Sequence, residues 1–346
     1  MKKKQLISLV MVVFLFLSVG LLFAEGKKEV VEEKEWIPGM GKVTTENYKP
    51  RIDQATKIHR FGFANYMRAA PFCTIVEEGM RKYAEEAGIE IFIVDNEADA
   101  AKAVDNARAM ITKQVDFFIE YQGHAETNAV IGDMMKENGI PVVAIDIPVP
   151  GAPFFGGNNY VAGHQAGEWL GKYADKNWKG ANVVLVLIES TTNGEINERR
   201  MQGYIDGVKE NYPKLSEVFR LDTDNQYEDA MEKARTWLSG HPDEHHILMG
   251  ALHDGVGAGG LQALKEANRE LDAIIVSQGA DPSIYDEIRN PKSAYKGSVA
   301  YFPEKYGFYT ISMGLDILEG NPIPKEYFVP HTVIDGLNID DYYPKF

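Results

Sequence analysis

Cysteine is nearly absent. Cys73 stands alone among 346 residues, so no intramolecular disulfide is available and the fold must hold by packing. Basic residues are the next shortage: 36 Lys and Arg face 51 Asp and Glu, a net charge of −15. Such a surface repels phosphate backbones and anionic lipid, which argues against nucleic acid and membrane-surface partners. No short-period repeat is present, which excludes a solenoid. The P-loop pattern GxxxxGK followed by Ser or Thr is missing, as are GxSxG and HExxH, so the common nucleotide and hydrolase signatures are lacking. With no basic or His neighbour in the local sequence, Cys73 reads as a small buried hydrophobe and not as a reactive thiol.

What remains is ordinary for packed globular layers, at 45% hydrophobic and 25% charged residues. At about 150 residues per domain, the length points to about two domains. Lys2, Lys3 and Lys4 precede an apolar run from Leu6 to Phe23. That order reads as a secretory signal peptide over residues 1–24, with an uncleaved anchor as the alternative. No cysteine lies near the cleavage region, so a lipid-modified N-terminus is chemically closed and the periplasm of a double-membraned cell is favoured. Residues 25–56 are rich in Lys and Glu and carry Pro38, Gly39 and Gly41; they read as a charged, solvated spacer.

From Ile58 onward, short apolar runs alternate with amphipathic segments, which argues for parallel α/β sheets. Strands are expected at His59 to Tyr66, Ile89 to Asp95, Val115 to Tyr121 and Pro141 to Ile147. After a turn-rich junction from Pro148 to Tyr160 the alternation resumes, with strands at Asn182 to Ile188, Val218 to Leu221, His246 to Leu252 and Ala273 to Ser277. Helices are expected at Glu195 to Asn211, Tyr227 to Ser239 and Gly257 to Glu270. The pattern is that of two doubly wound parallel-sheet domains.

Ligands of open parallel sheets bind beyond the carboxyl ends of the strands. There the sequence offers Tyr121 and Gln122, Asp146, His253 with Asp254, and Asp281, with Arg200 near a helix start and Tyr301 closing the segment Lys296 to Tyr301. Carboxylates, a guanidinium fork and aromatic faces together suit a neutral polyol or sugar. Taken singly, Asp254 and Asp281 are equally readable as helix N-caps, and Phe72 as core.

Other constellations point elsewhere. Gly255, Gly257 and Gly260 satisfy GxGxxG after a strand, with Asp281 at the acidic position, so an NAD-dependent oxidoreductase is the alternative from another class. His241, His245, His246 and His253 invite a metal, but their order places His245 and His246 on opposite faces of one strand, and no metal site is expected. Asp222 and Asp224 begin a calcium-like loop in which Tyr227 and Lys233 stand where Gly and Glu are required.

Over about residues 57–346 the chain resembles the type I periplasmic sugar-binding proteins of ABC importers, the group around ribose-binding protein. The resemblance is carried by APFCTIVEEGMRKYAEEAGIE (70–90), GIPVVAIDIP (139–148), NNYVAGHQAGEWL (158–170), ERRMQGY (198–204), HPDEHHILMGALHDGVGAGGLQAL (241–264) and QGADPS (278–283). It implies two lobes joined by three crossing strands near Asn158, Tyr301 and Pro330, with the ligand cleft between them. Residues 57–158 with 302–330 would form one lobe, and 159–301 with 331–346 the other. It implies that Phe72 stacks on the ligand and that Asp146, Arg200 and Asp281 bond its hydroxyls, with Tyr121, Asn225, His253 and Tyr301 completing the site. Where the family often has Asn, an aromatic, Arg, an aromatic, Asn and Gln, this chain has Ala70, Cys73, Ile147, Asn225, His253 and Tyr301. Those departures point away from ribose, toward another monosaccharide, a sugar alcohol or inositol, or another small polar metabolite. The implied protein is a monomer without cofactor or catalysis that serves an ABC permease or, alternatively, feeds chemotaxis.

Overall fold

A computed structural model describes residues 36–52 and 57–345. The signal peptide expected over residues 1–24 lies outside the described residues, as do 25–35 and 53–56 of the expected spacer.

The first lobe starts with strand β1 (Met40–Val43) and continues through β2 (Arg60–Asn65), α1 (Pro71–Ala87), β3 (Glu90–Asp95), α2 (Ala100–Thr112), β4 (Phe117–Tyr121), α3 (Ala125–Glu137), β5 (Val142–Ile145) and β6 (Phe154–Gly157). Every residue of β4 and β5 is buried, because helices cover both faces of the sheet; the two strands are therefore near-continuous apolar runs. Helix α1 begins with Pro71, whose fixed φ suits the first helical position, and stops at Gly88 in left-handed geometry. Its buried stripe of Val76, Met80, Ala84 and Ala87 keeps helical spacing.

The second lobe comprises α4 (Asn159–Asn177), β7 (Val183–Glu189), α5 (Glu195–Asn211), β8 (Leu215–Asp222), α6 (Tyr227–Gly240), β9 (Ile247–Ala251), α7 (Asp254–Glu266), β10 (Ala273–Gly279), α8 (Tyr285–Arg289) and β11 (Tyr295–Ala300). The chain then returns as α9 (Tyr306–Glu319), β12 (Ile323–Pro324) and β13 (Glu326–Val329), and ends in β14 (Thr332–Asp335) and α10 (Ile339–Tyr342).

One six-stranded sheet has the order β13-β6-β5-β4-β2-β3 and is parallel throughout. The other has the order β14-β11-β10-β9-β7-β8, with only β14 antiparallel. Because β6 and β13 belong to the first sheet and β11 and β14 to the second, the chain passes between lobes at Asn158, at 301–302 and at 330–331.

Two readings of the sequence are corrected. The expected spacer is packed structure from Trp36 to Ile52: β1 pairs with β12, Trp36 donates Nε1–H to Ile140 O (3.1 Å), and the buried Tyr48 donates to Asp316 Oδ2 (2.7 Å). Its apolar residues are single anchors set among charges, and its backbone partner lies far along the chain, so no local period announces it. The junction of 148–160 also hides an interior strand, β6. Its glycines make room for neighbours, since a Cβ on Gly157 would lie 2.1 Å from the Tyr301 ring.

Candidate functional site

A cavity of about 320 Å³, within the range of small-ligand pockets, opens where the carboxyl ends of strands from both sheets face each other. Phe72, Tyr121, Asp146, Arg200, Asn225, His253, Asp281 and Tyr301 all line it. The first lobe contributes Phe72 from the start of α1, Tyr121 from the end of β4 and Asp146 just after β5. Arg200 comes from α5, Asn225 from the β8–α6 loop, His253 from the β9–α7 turn and Asp281 from the loop after β10, while Tyr301 lies on a crossing.

Asp146 adopts φ +58°, a left-handed conformation a short polar side chain tolerates, and accepts from the Tyr306 hydroxyl (3.2 Å). Burial pushes its carboxyl up to about 6, with Arg200 and the tyrosine hydroxyls pulling in the opposite direction. The Arg200 fork binds Asn159 Oδ1 through Nε (2.9 Å) and Nη2, and donates from Nη1 to Leu252 O. Three of the five N–H groups of a guanidinium are thereby engaged, which holds the plane rigid and leaves two toward other acceptors.

His253 caps α7: its Nδ1 accepts from Gly255 N–H (3.1 Å), and its Nε2 faces Asn225 Oδ1 (3.0 Å). Burial, aided by the positive charge of Arg200, lowers the imidazole to about 4, so the neutral ring uses Nδ1 as acceptor and Nε2–H as donor. Asn225, at φ +70°, is held by that bond. Asp281 accepts from Ser283 N–H (2.8 Å) as the cap of a short 3-10 turn and also lines the cavity. Asp254 does not cap α7. Its buried carboxylate accepts from Ser298 (2.7 Å), Tyr295 (3.2 Å), Ser277 and Asp281 N–H (2.6 Å), and burial raises it to about 7.

Three atoms of residues around the cavity are buried without a hydrogen-bond partner: Gln122 Nε2, Gln278 Oε1 and the Tyr301 hydroxyl. Buried polar groups are nearly always paired, so these three are exceptions that cluster around the cavity. All three are uncharged. Gln122 is among the strand-end residues that the sequence offers, whereas Gln278 and Tyr66, which also line the cavity, carry no local signature.

The other constellations resolve as structure. Gly255, Gly257 and Gly260 lie within α7, which begins at Asp254 and not at Gly257; a Cβ on Gly257 would meet the Tyr295 hydroxyl at 2.8 Å, and one on Gly260 would meet Ile188 at 2.6 Å. They bring a helix close to a sheet, and the dinucleotide reading lacks its turn. His241 stacks on Trp237 (4.5 Å), and His246 sits edge-on to Trp178 (5.2 Å). Among the described residues no group of three or more His, Cys, Asp or Glu is placed to hold a metal. Burial pushes the Cys73 thiol up to about 12, which leaves it protonated and inert.

Comparison with known proteins places this geometry. The sequence profile of the periplasmic binding protein domain matches residues 61–322. The chain is 23% identical over 263 residues to the ribose import binding protein of Bacillus subtilis, covering 75% of this chain and 82% of that protein. It is 29% identical over 218 residues to the xylitol-binding protein of Mycolicibacterium smegmatis, covering 62% and 60% respectively. Among solved structures, an ABC transporter solute-binding protein from Agrobacterium vitis with bound allitol superposes with a TM-score of 0.75 at 19% identity, over 84% of this chain and all (100%) of that one. One from Bacillus halodurans with bound myo-inositol gives 0.73 at 16% identity, over 85% and 100%.

Proposed function

The chain belongs to the periplasmic binding protein domain family, and from that premise we propose that it captures one monosaccharide or related polyol between its lobes and delivers it to an ABC permease. The observation that carries this reading is the cavity itself: both lobes line it, and its unpaired buried atoms are a donor amide, an acceptor amide and a hydroxyl. A polyol hydroxyl both donates and accepts, so it matches that set; a phosphate or other strong anion would face the Asp146 and Asp281 carboxylates.

In this reading Phe72 lays its ring against the C–H face of the ligand. Asp146 and Asp281 accept from hydroxyls, Arg200 donates its remaining N–H groups, and Tyr121, Asn225, His253 and Tyr301 complete the enclosure. The ligand bridges lobes joined only at the three crossings, so it contacts both fully when they are closed and shifts the population toward that state. The permease then reads the closed form; no covalent step is involved. Residues 1–24 direct export to the periplasm, where the protein works as a monomer.

The test is thermal shift and calorimetry with pentoses, hexoses, sugar alcohols, inositols and nucleosides, with NADH alongside. Saturable stabilisation by a sugar or polyol supports the reading; stabilisation by NADH alone, or by none of them, overturns it.

A further inference from the structure

A chain of side chains crosses the cavity from one lobe to the other. Tyr66 follows β2 in the first lobe, while Asn225 and His253 stand in loops of the second, and all three line the cavity. Tyr66 and Asn225 are half-buried and flanked within two positions by exposed residues, Arg68 on one side and Asp224 and Gln226 on the other. They therefore meet at the rim of the cavity and not at its floor.

The direction of the hydrogen bonds is set from one end. A backbone amide can only donate, so the bond from Gly255 N–H (3.1 Å) makes His253 Nδ1 an acceptor and leaves the proton of the neutral ring on Nε2. Nε2–H then donates to Asn225 Oδ1 (3.0 Å), which turns the amide nitrogen of Asn225 toward the first lobe, where it donates to the Tyr66 hydroxyl. Burial raises the Tyr66 phenol, and the Asn225 bond opposes that rise, as a donor to the oxygen does. The ring reaches this position because residue 123 is glycine: a Cβ there would lie 2.7 Å from Tyr66 Cε2 and 3.0 Å from its hydroxyl. Tyr121 supports it from the same lobe, with ring centroids 5.9 Å apart.

We propose that Tyr66 is a positioning residue for capture: its hydroxyl, held by Asn225 and through it by His253, latches the two lobes together at the rim and slows release of the enclosed polyol. The inference rests on the polyol-binding reading and adds to it a contact made between lobes instead of with the ligand. The Asn225–Tyr66 bond exists only while the lobes face each other, so it opposes dissociation and does little for the first encounter. Bonds in such a chain polarise one another, so His253 strengthens the latch without touching Tyr66.

The test is a double-variant cycle of Tyr66→Phe, which keeps the ring, Asn225→Ala, and the two combined. The probe is the tightest-binding of ribose, xylitol, allitol and myo-inositol, followed by stopped-flow fluorescence and calorimetry. Tyr66→Phe is expected to raise the dissociation rate about three- to tenfold, as for the loss of one hydrogen bond, with the association rate and the unliganded Tm unchanged. The combined variant should lose no more affinity than Asn225→Ala alone, because the latch is gone once either partner is missing. A Tyr66→Phe dissociation rate equal to that of wild type, losses that multiply in the combined variant, or a change confined to the unliganded Tm overturns the inference alone. Failure of wild type to bind any of the four sinks the polyol reading, and the latch with it.

Discussion

The guanidinium of Arg200 lies over the face of Tyr301, with its carbon 5.3 Å from the ring centroid. Tyr301 sits on one passage between the lobes, and Asn159, which the same guanidinium binds, follows another. One side chain of α5 therefore braces two of the three connections while it borders the cavity. Cavity wall and lobe connections meet in this pair, and cation–π attraction in a partly desolvated setting holds the two side chains together.

Arg200→Lys tests that double role. An ammonium cannot reproduce a planar fork that reaches Asn159 and Leu252 O together. The expected result is a loss of affinity of about tenfold to a hundredfold for the ligand found by calorimetry, together with a lower unliganded Tm. A variant that loses affinity with an unchanged Tm would show that the brace contributes nothing to the unliganded fold.

Gly157→Ala probes the hinge sterically. The added methyl would fall 2.1 Å from the Tyr301 ring and 3.0 Å from His331, both buried or partly buried at the crossings. Overpacking of this kind costs about 1 to 3 kcal/mol. Chemical denaturation should show that loss, and ligand affinity should fall with it because Tyr301 is displaced.

The carboxyl of Asp146, raised to about 6 by burial, sets a pH dependence. Its ionised form accepts two hydrogen bonds from hydroxyls, so a bound polyol favours ionisation and lowers that value. Affinity is then full above about pH 7 and falls as acidification protonates the free site, by about tenfold at pH 5. The unliganded protein shows the opposite sign for this group: a raised carboxyl contributes stability below its unfolded value near 3.8 that is lost as pH rises through about 6. Calorimetry at pH 7.5 and 5.0, with Asp146→Asn as the titration-free control, checks the affinity arm.

Tyr48→Phe examines the segment ahead of the first sheet strand. The hydroxyl donates to Asp316 Oδ2 (2.7 Å) and lies 3.2 Å from Ser312 Oγ, so its removal strands buried acceptors and should cost about 1 to 3 kcal/mol of stability. Affinity should be unchanged, because Tyr48 is absent from the cavity wall. If stability is unaffected, residues 36–52 do not belong to the folded lobe.

The legible parts of this molecule are those in which local pattern and global fold agree. Strands such as FFIEY and VVAI advertise burial on both faces, and the rule that ligands sit beyond the carboxyl ends of strands is enough to pick out Asp146 and Asp281, which share one cavity with Arg200 of α5. Where glycine dominates, pattern misleads. Gly156 and Gly157 suggest a turn but form an interior strand kept thin for Asp146 and Tyr301, and the glycines of α7 mimic a dinucleotide loop because close helix packing needs the same residue. Gln278 is not legible for another reason: what distinguishes it is an unpaired buried atom, which only the packed structure defines.

The most direct test is a crystal structure grown with the tightest-binding sugar or polyol. The account predicts density for one molecule enclosed between Phe72 and Tyr301, bonded to Asp146, Arg200 and Asp281, with partners supplied to Gln122 Nε2, Gln278 Oε1 and the Tyr301 hydroxyl. A ligand seated elsewhere, or one that leaves those three atoms unpaired, would contradict it.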